Sequence, residues 1–216
     1  MKRLIIYDLD GTLVDTLEDI AQATNHMLRT MEKPPLDRDT VRRSVGRGLR
    51  DLVKGCMRSD DPTLLDEGTR VWWDDYGLHL AHHSRLYPGV RDLLERFKGR
   101  QQAVLTNKPN PFSRQLLEIL GVAGYFREII GPDEPHPKKP DPAAVRAMME
   151  RAGVTAEETL LIGDSPVDIQ TGRNAGIFAV VLSHGLADEA ELRAAQPDLV
   201  VASFPELLEA AKQRQW

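Results

Sequence analysis

One cysteine, Cys56, stands among 216 residues. A single thiol closes no intramolecular disulfide and builds no cysteine-based metal cluster. Long apolar runs are missing too. The first, Leu4 to Tyr7, stops at Asp8, too short for the core of a secretory signal. None approaches the roughly 20 residues a membrane helix needs. There is no basic excess: 28 Lys and Arg stand against 33 Asp and Glu, a formal charge of −5, the wrong sign for a general nucleic-acid binder. Internal repeats, low-complexity tracts and a P-loop GK[ST] are likewise absent. These absences predict a cytoplasmic protein with neither nucleic acid nor membrane as partner. What remains is a composition that can bury a sizeable core, with 41% hydrophobic and 28% charged residues. The length fits one large domain or a core carrying a smaller insert.

The insert is visible in the rhythm of the chain. Short β-prone apolar segments recur at Leu4–Tyr7, Ala103–Leu105, Glu128–Ile130, Thr159–Ile162, Phe178–Val181 and Asp198–Val201. Helical patterns lie between most of them, at Pro111–Leu120, Pro142–Ala152, Val167–Ala175 and Phe204–Lys212. Strands alternating with helices predict an α/β fold built on a doubly wound, Rossmann-like parallel sheet, its apolar strands buried on both faces. From about Thr16 to Leu86 the rhythm breaks and no strand is expected. Leu17, Ile20, Ala21, Thr24, Met27 and Leu28 mark one helical face, and Val41–Met57 and Leu64–Leu80 read as further helices. The expected organisation is a core of residues 1–15 and 86–216 with a helical insert at 16–85.

In parallel sheets the ligand site forms at the carboxyl ends of the strands. Here those ends carry Asp8-Leu9-Asp10-Gly11-Thr12, then Thr106-Asn107, then Gly163-Asp164-Ser165 with Asp168 following, and Lys138-Lys139-Pro140 precedes the fourth strand. One Asp after a strand is an ordinary helix cap. Four acids at two strand ends, with a hydroxyl, an amide and a lysine, are harder to explain that way. They suit phosphoryl transfer through an aspartate, which forms an acyl-phosphate that water hydrolyses. Attack of one anion on another is repulsive, costing about 1 kcal/mol at 4 Å in water and about 4 at an effective dielectric of 20. A divalent cation removes that barrier, and hard oxygen ligands suit Mg²⁺. A second carboxylate two residues on can protonate the leaving oxygen and later activate water. Gly11 permits the sharp turn that brings backbone amides toward a phosphate.

These motifs resemble the haloacid dehalogenase-like superfamily. Asp8-Leu9-Asp10-Gly11-Thr12-Leu13-Val14-Asp15 resembles its first motif, Thr106-Asn107 its second, Lys139-Pro140 its third and Gly163-Asp164-Ser165-Pro166-Val167-Asp168-Ile169 its fourth. The helical insert resembles the family's cap domain. Leu105-Thr106-Asn107-Lys108-Pro109, Lys138-Lys139-Pro140, Gln196-Pro197-Asp198 and Tyr87-Pro88-Gly89-Val90 are similar to phosphoglycolate phosphatases in particular. The resemblance implies a Mg²⁺-dependent phosphatase acting on a small phosphorylated metabolite, 2-phosphoglycolate above all. Asp8 would be the nucleophile and a metal ligand. Asp10 would be the general acid and base, binding metal through its backbone carbonyl. Thr106, Asn107 and Lys139 would hold the phosphoryl oxygens. Asp164 would ligate the metal, with Asp168 ligating or supporting it. Ser165 reads equally as a site residue or as the cap of the next helix. The proline-rich stretch Gly131–Pro137 leaves Lys138 and Lys139 both open, with the Lys-Pro register favouring Lys139.

Other readings compete. A sugar-phosphate mutase or another phosphatase or pyrophosphatase could use the same scaffold, as could a catalytically silent binding protein. A dehalogenase fits Asp10 and the acidic fourth motif less well. Val167 stands where a serine-hydrolase elbow requires glycine. Asp8–Gly11 places its glycine too early for a calcium loop. His79, His82 and His83 read as a solvated helix end, and Trp72, Trp73 and Tyr76 as core of the insert. Arg47, between Gly46 and Gly48, is the candidate contact for a substrate carboxylate. Cys56 is expected to be a small buried residue. Monomer and homodimer both stay open.

Overall fold

The first strand, β1 (Leu4–Tyr7), is buried on both faces. It runs into a tight loop in which the Leu9 carbonyl accepts hydrogen bonds from the amides of Thr12, Leu13 and Val14. The computed structural model describes residues 1–132 and 136–216; Asp133, Glu134 and Pro135, within the proline-rich approach to Lys138, lie outside the described residues. After the loop, β2 (Val14–Asp15) pairs antiparallel with β3 (Arg85–Leu86). This two-stranded ribbon forms the neck of the insert. Its second strand falls where no strand is expected, because two residues are too few to carry a readable period.

Between the ribbon strands lie α1 (Leu17–Thr30), α2 (Arg38–Arg42), α3 (Leu49–Met57) and α4 (Pro62–Leu78). The single helix expected over Val41–Met57 is two. Gly46 (φ 103°) and Gly48 (φ 98°) adopt backbone conformations that a right-handed helix cannot contain, so the chain turns there and restarts at Leu49. Asp37 and Asp61 cap α2 and α4 by accepting backbone amides. The four helices share their own apolar cluster, which includes Ile20, Met27, Val53, Trp72 and Tyr76. Cys56 is buried in it.

The chain then forms α5 (Val90–Arg96), β4 (Gln101–Leu105), α6 (Asn110–Ile119), β5 (Glu128–Ile130), α7 (Ala143–Ala152), β6 (Thr159–Gly163), α8 (Pro166–Ala175), β7 (Phe178–Leu182), α9 (Glu189–Ala194), β8 (Leu199–Val201) and α10 (Phe204–Gln213). Six strands make one parallel sheet in the order β5-β4-β1-β6-β7-β8. Side chains alternate across it. Ile5 and Tyr7 pack on one face with Leu93, Leu116 and Phe204 from α5, α6 and α10, whereas Leu4 and Ile6 pack on the other with Val145 and Met148 from α7. This is the expected doubly wound α/β architecture. Strand order reverses at β1, which pairs with β4 on one side and β6 on the other. Such a switch point opens a crevice at the strand ends.

The helical layer stays fastened to the sheet layer by an aromatic plug. Phe112 of α6 joins the apolar cluster of the insert, with ring centroids 4.4 Å from Trp73 and 5.2 Å from Tyr76. Gly77 makes room for it, since a Cβ there would stand 3.3 Å from the Phe112 ring. Among the described residues no helix is long and apolar enough to cross a membrane.

Candidate active site

Asp8 follows β1, and Asp164 follows β6. The parallel pairing of β1 with β6, which sets Tyr7 beside Ile162, brings both strand ends to the same edge of the sheet. Asp8, Asp164 and Asp168 are all buried and bring one carboxylate oxygen each within 4.8 Å of one another. The close approach depends on missing side chains. A Cβ on Gly11 would stand 2.3 Å from Asp164 Oδ2, and one on Gly163 would stand 2.2 Å from Asp168 Cγ. Gly11 also has φ 81°, so both space and backbone conformation require glycine there.

Lys139 lies under this cluster. Its Nζ donates to Asp168 Oδ1 (2.6 Å) and lies 2.9 Å from Asp8 Oδ1. The second contact is an ion pair without hydrogen-bond direction, so buried Asp8 Oδ1 has no hydrogen-bond partner. Of the two candidate lysines, Lys139 is the buried one. Lys138 is exposed and reaches the insert, donating to the Arg47 carbonyl (2.9 Å) and pairing with Asp51.

Each remaining carboxylate is braced. Asp164 accepts from Thr12 Oγ1 (2.6 Å) and the Leu186 amide (2.7 Å). Asp168 Oδ2 accepts from Ser165 Oγ (2.6 Å) and the Ser165 amide (3.2 Å). Ser165 is therefore engaged with the helix start, the capping reading of its two roles. Asp10 Oδ1 accepts from Thr16 Oγ1 (2.8 Å) and Lys108 Nζ (3.0 Å). The Asn107 side chain accepts the Lys139 amide (2.9 Å) and donates to the Lys139 carbonyl (3.1 Å) and to Gly46 O in the insert (3.0 Å). Asn107 thus fixes the loop that carries Lys139, and a phosphoryl oxygen would have to replace one of these acceptors. Thr106 Oγ1 accepts the Lys108 amide (3.1 Å), which leaves its hydroxyl proton free to donate.

Three buried carboxylates face one ammonium. Burial above all pushes Asp8 up to about 7; Lys139 opposes the rise and Asp168 adds to it. Burial, then Asp8 and Asp168, raises Asp164 well above the usual carboxylate range. Burial works against the charge on Lys139 too, but Asp168 and Asp8 outweigh it and raise its pKa, keeping it protonated. A site with surplus negative charge and three clustered hard oxygen donors fits a small divalent cation.

Asp8, Asp10, Thr106 and Asn107 open into a small chamber of about 40 Å³, lined on the other side by Ile20, Val45, Leu49, Leu52 and Trp72 of the insert. Arg47 is not brought into it. Gly46 and Gly48 line the chamber, but the arginine between them is exposed. A residue without a role in the sequence reading takes the inner position: Lys108, whose ammonium is buried beside Asp10 and 4.4 Å from the centroid of the Tyr76 ring. Its presence in Leu105–Pro109 was legible. Its direction was not, because Tyr76 arrives from an element distant in sequence.

A parallel sheet with paired aspartates at its switch point, a buried lysine and a helical insert over the strand ends defines a class of hydrolases that work through a carboxylate. The chain belongs to the haloacid dehalogenase-like hydrolase family, whose model matches residues 5–182. It is 38% identical to a phosphoglycolate phosphatase of Pseudomonas putida over 96% of this chain and 79% of that one. It is 37% identical to a phosphoglycolate phosphatase of Vibrio parahaemolyticus over 96% and 95% of the two chains. The crystal structure of a predicted phosphoglycolate phosphatase from Haemophilus somnus 129pt superimposes with a TM-score of 0.92 at 29% identity, covering 97% of this chain and 98% of that one.

Proposed function

We propose that this chain is a Mg²⁺-dependent phosphatase that hydrolyses 2-phosphoglycolate to glycolate and phosphate through a phosphorylated Asp8. The observation that carries the reading is the placement of Asp8 and Asp10 together in one small chamber, with Asp8 backed by a protonated lysine. The choice of substrate rests on the relatives of that name and on the limited space.

A carboxylate oxygen of Asp8 attacks phosphorus, and the bond from phosphorus to the glycolate oxygen breaks. Asp10 gives its proton to that oxygen, so glycolate leaves as an alcohol. Asp10 then takes a proton from water as the water oxygen attacks the phosphorus. The bond to Asp8 breaks, which frees phosphate and restores the carboxylate. Lys139 holds Asp8 in place and offsets charge that grows on the phosphoryl group. The Thr106 hydroxyl and the Asn107 amide donate to phosphoryl oxygens. Asp8, the Asp10 main-chain carbonyl and Asp164 would hold Mg²⁺, supported by Asp168, which Lys139 and Ser165 already occupy. When bound, the ion supplies positive charge where two anions must meet. Residues 16–85 act as the cap that closes the chamber against bulk water.

Chelation should abolish release of phosphate from 2-phosphoglycolate, and added Mg²⁺ should restore it. Full turnover in metal-free protein would reject the mechanism. Hydrolysis of other small esters but not 2-phosphoglycolate would reject the substrate and keep the chemistry.

A further inference from the structure

Among the described residues, Lys108 is the only cationic side chain that lines the chamber. Lys139 is committed beneath Asp8 and Asp168. The Lys108 side chain is 3% exposed. An ammonium offers three N–H donors, and the side-chain hydrogen bond it makes is to Asp10 Oδ1. The hydroxyl of Tyr76, whose ring it faces, is buried without a hydrogen-bond partner. A charged donor with capacity to spare is thus held at the chamber wall. Around it the described wall is apolar, built from Ile20, Leu49, Leu52 and Trp72, and offers a substrate tail no second cation.

We propose that Lys108 is the specificity residue of this site, pairing with an acidic group on the substrate a short distance from the phosphate ester. The inference deepens the phosphatase reading above and rests on it. Every phosphate ester presents the same phosphoryl group to Asp8, Thr106 and Lys139, so those residues cannot choose among esters. Lys108 can, because an acidic tail gains a charge-assisted contact there beyond the one to Asp10, and a neutral tail gains none. It takes the role that the sequence offered to Arg47, which lies exposed outside the chamber.

The test compares kcat/KM for 2-phosphoglycolate and for ethyl phosphate, similar in size but with a neutral tail. The wild-type protein should prefer the acidic ester. Lys108→Met, which keeps length and loses charge, should reduce that preference about 10- to 100-fold, chiefly through KM, while Lys108→Arg retains most of it. Lys108→Glu should shift preference toward 2-aminoethyl phosphate. Equal losses on both esters in Lys108→Met would overturn the assignment and leave Lys108 as a brace for Asp10. So would a wild-type preference for the neutral ester. If the wild type favours a different acidic-tailed ester, such as 3-phosphoglycerate, and Lys108→Met erases that preference, the substrate reading fails while the role of Lys108 stands. If Lys108→Met does not fold, inhibition of the wild type and Lys108→Arg decides. Phosphonoacetate should bind both at least about tenfold tighter than ethylphosphonate, and equal binding overturns the proposal.

Discussion

The floor and the wall of the chamber are built on opposite principles. The floor is made of strand ends in the sheet layer, where Asp8, Asp164, Asp168 and Lys139 lie buried in mutual contact. Its charges outnumber their partners, and its backbone leaves no room for a methyl group at Gly11 or Gly163. The wall is made of helices with an apolar cluster of their own, stacked aromatic rings and a glycine turn. A floor of this kind stores electrostatic tension that a cation relieves. A wall of this kind stores none; it shapes the chamber and is fastened to the sheet. Changes in the floor should therefore move chemistry without loss of stability, and changes in the wall should move stability first.

The sharpest break is Asp8→Asn. The amide cannot form an acyl-phosphate, so turnover of 2-phosphoglycolate should fall on the order of 10³-fold or more. The same substitution removes one of three crowded carboxylates, so the metal-free variant should melt no lower than metal-free wild type. Substantial residual turnover in protein free of other phosphatases would remove Asp8 from its role. A clear drop in melting temperature would show that the floor is not under tension.

Phe112→Ala tests the wall. The ring is 4% exposed and plugs the apolar cluster of the insert. Its loss should cost about 3–5 kcal/mol of unfolding free energy, measured by denaturant titration. Retained stability would mean that the helical layer holds to the sheet by other contacts. One candidate is Arg42 of α2, which donates to the Leu186 carbonyl and pairs with Asp188 at 3.0 Å.

The smallest effect concerns His184, which sits behind the first loop between Tyr87 (4.2 Å between centroids) and Phe204 (5.4 Å). Burial lowers its pKa from 6.5. A histidine with a depressed folded pKa binds fewer protons folded than unfolded, so its contribution is intact above about pH 6.5 and is lost as pH falls below that value. Melting temperature should decline with acidification below pH 6.5, and His184→Phe should flatten that decline. An unchanged pH dependence in the variant would assign the acid sensitivity to other groups.

The expected helix over Val41–Met57 shows where pattern reading fails. Its apolar residues continue across Ser44–Gly48 with acceptable spacing, yet Gly46 and Gly48 turn the chain. Periodicity counts side chains and is blind to backbone sign. The same blindness hid the β2–β3 ribbon, whose two-residue strands exist only because they meet each other.

What the sequence determined by itself is local. An apolar run that ends in Asp-x-Asp-Gly makes a buried strand followed by a tight turn whichever neighbours it finds, so the positions of Asp8, Asp10 and Asp164 at strand ends were readable before any fold. The long side chains were a different matter. Lys138 and Lys139 are adjacent and chemically identical, and Arg47 and Lys108 both sat beside recognisable motifs. A flexible cation goes where a buried carboxylate or an aromatic face lies within reach. Those partners, Asp8 and Asp168 for Lys139, Asp51 for Lys138, Asp10 and Tyr76 for Lys108, come from elements tens of residues away. Only tertiary packing brings them together. Desolvation makes an unpaired buried charge costly, and so the packing of the helices against the sheet decided which cation lines the chamber.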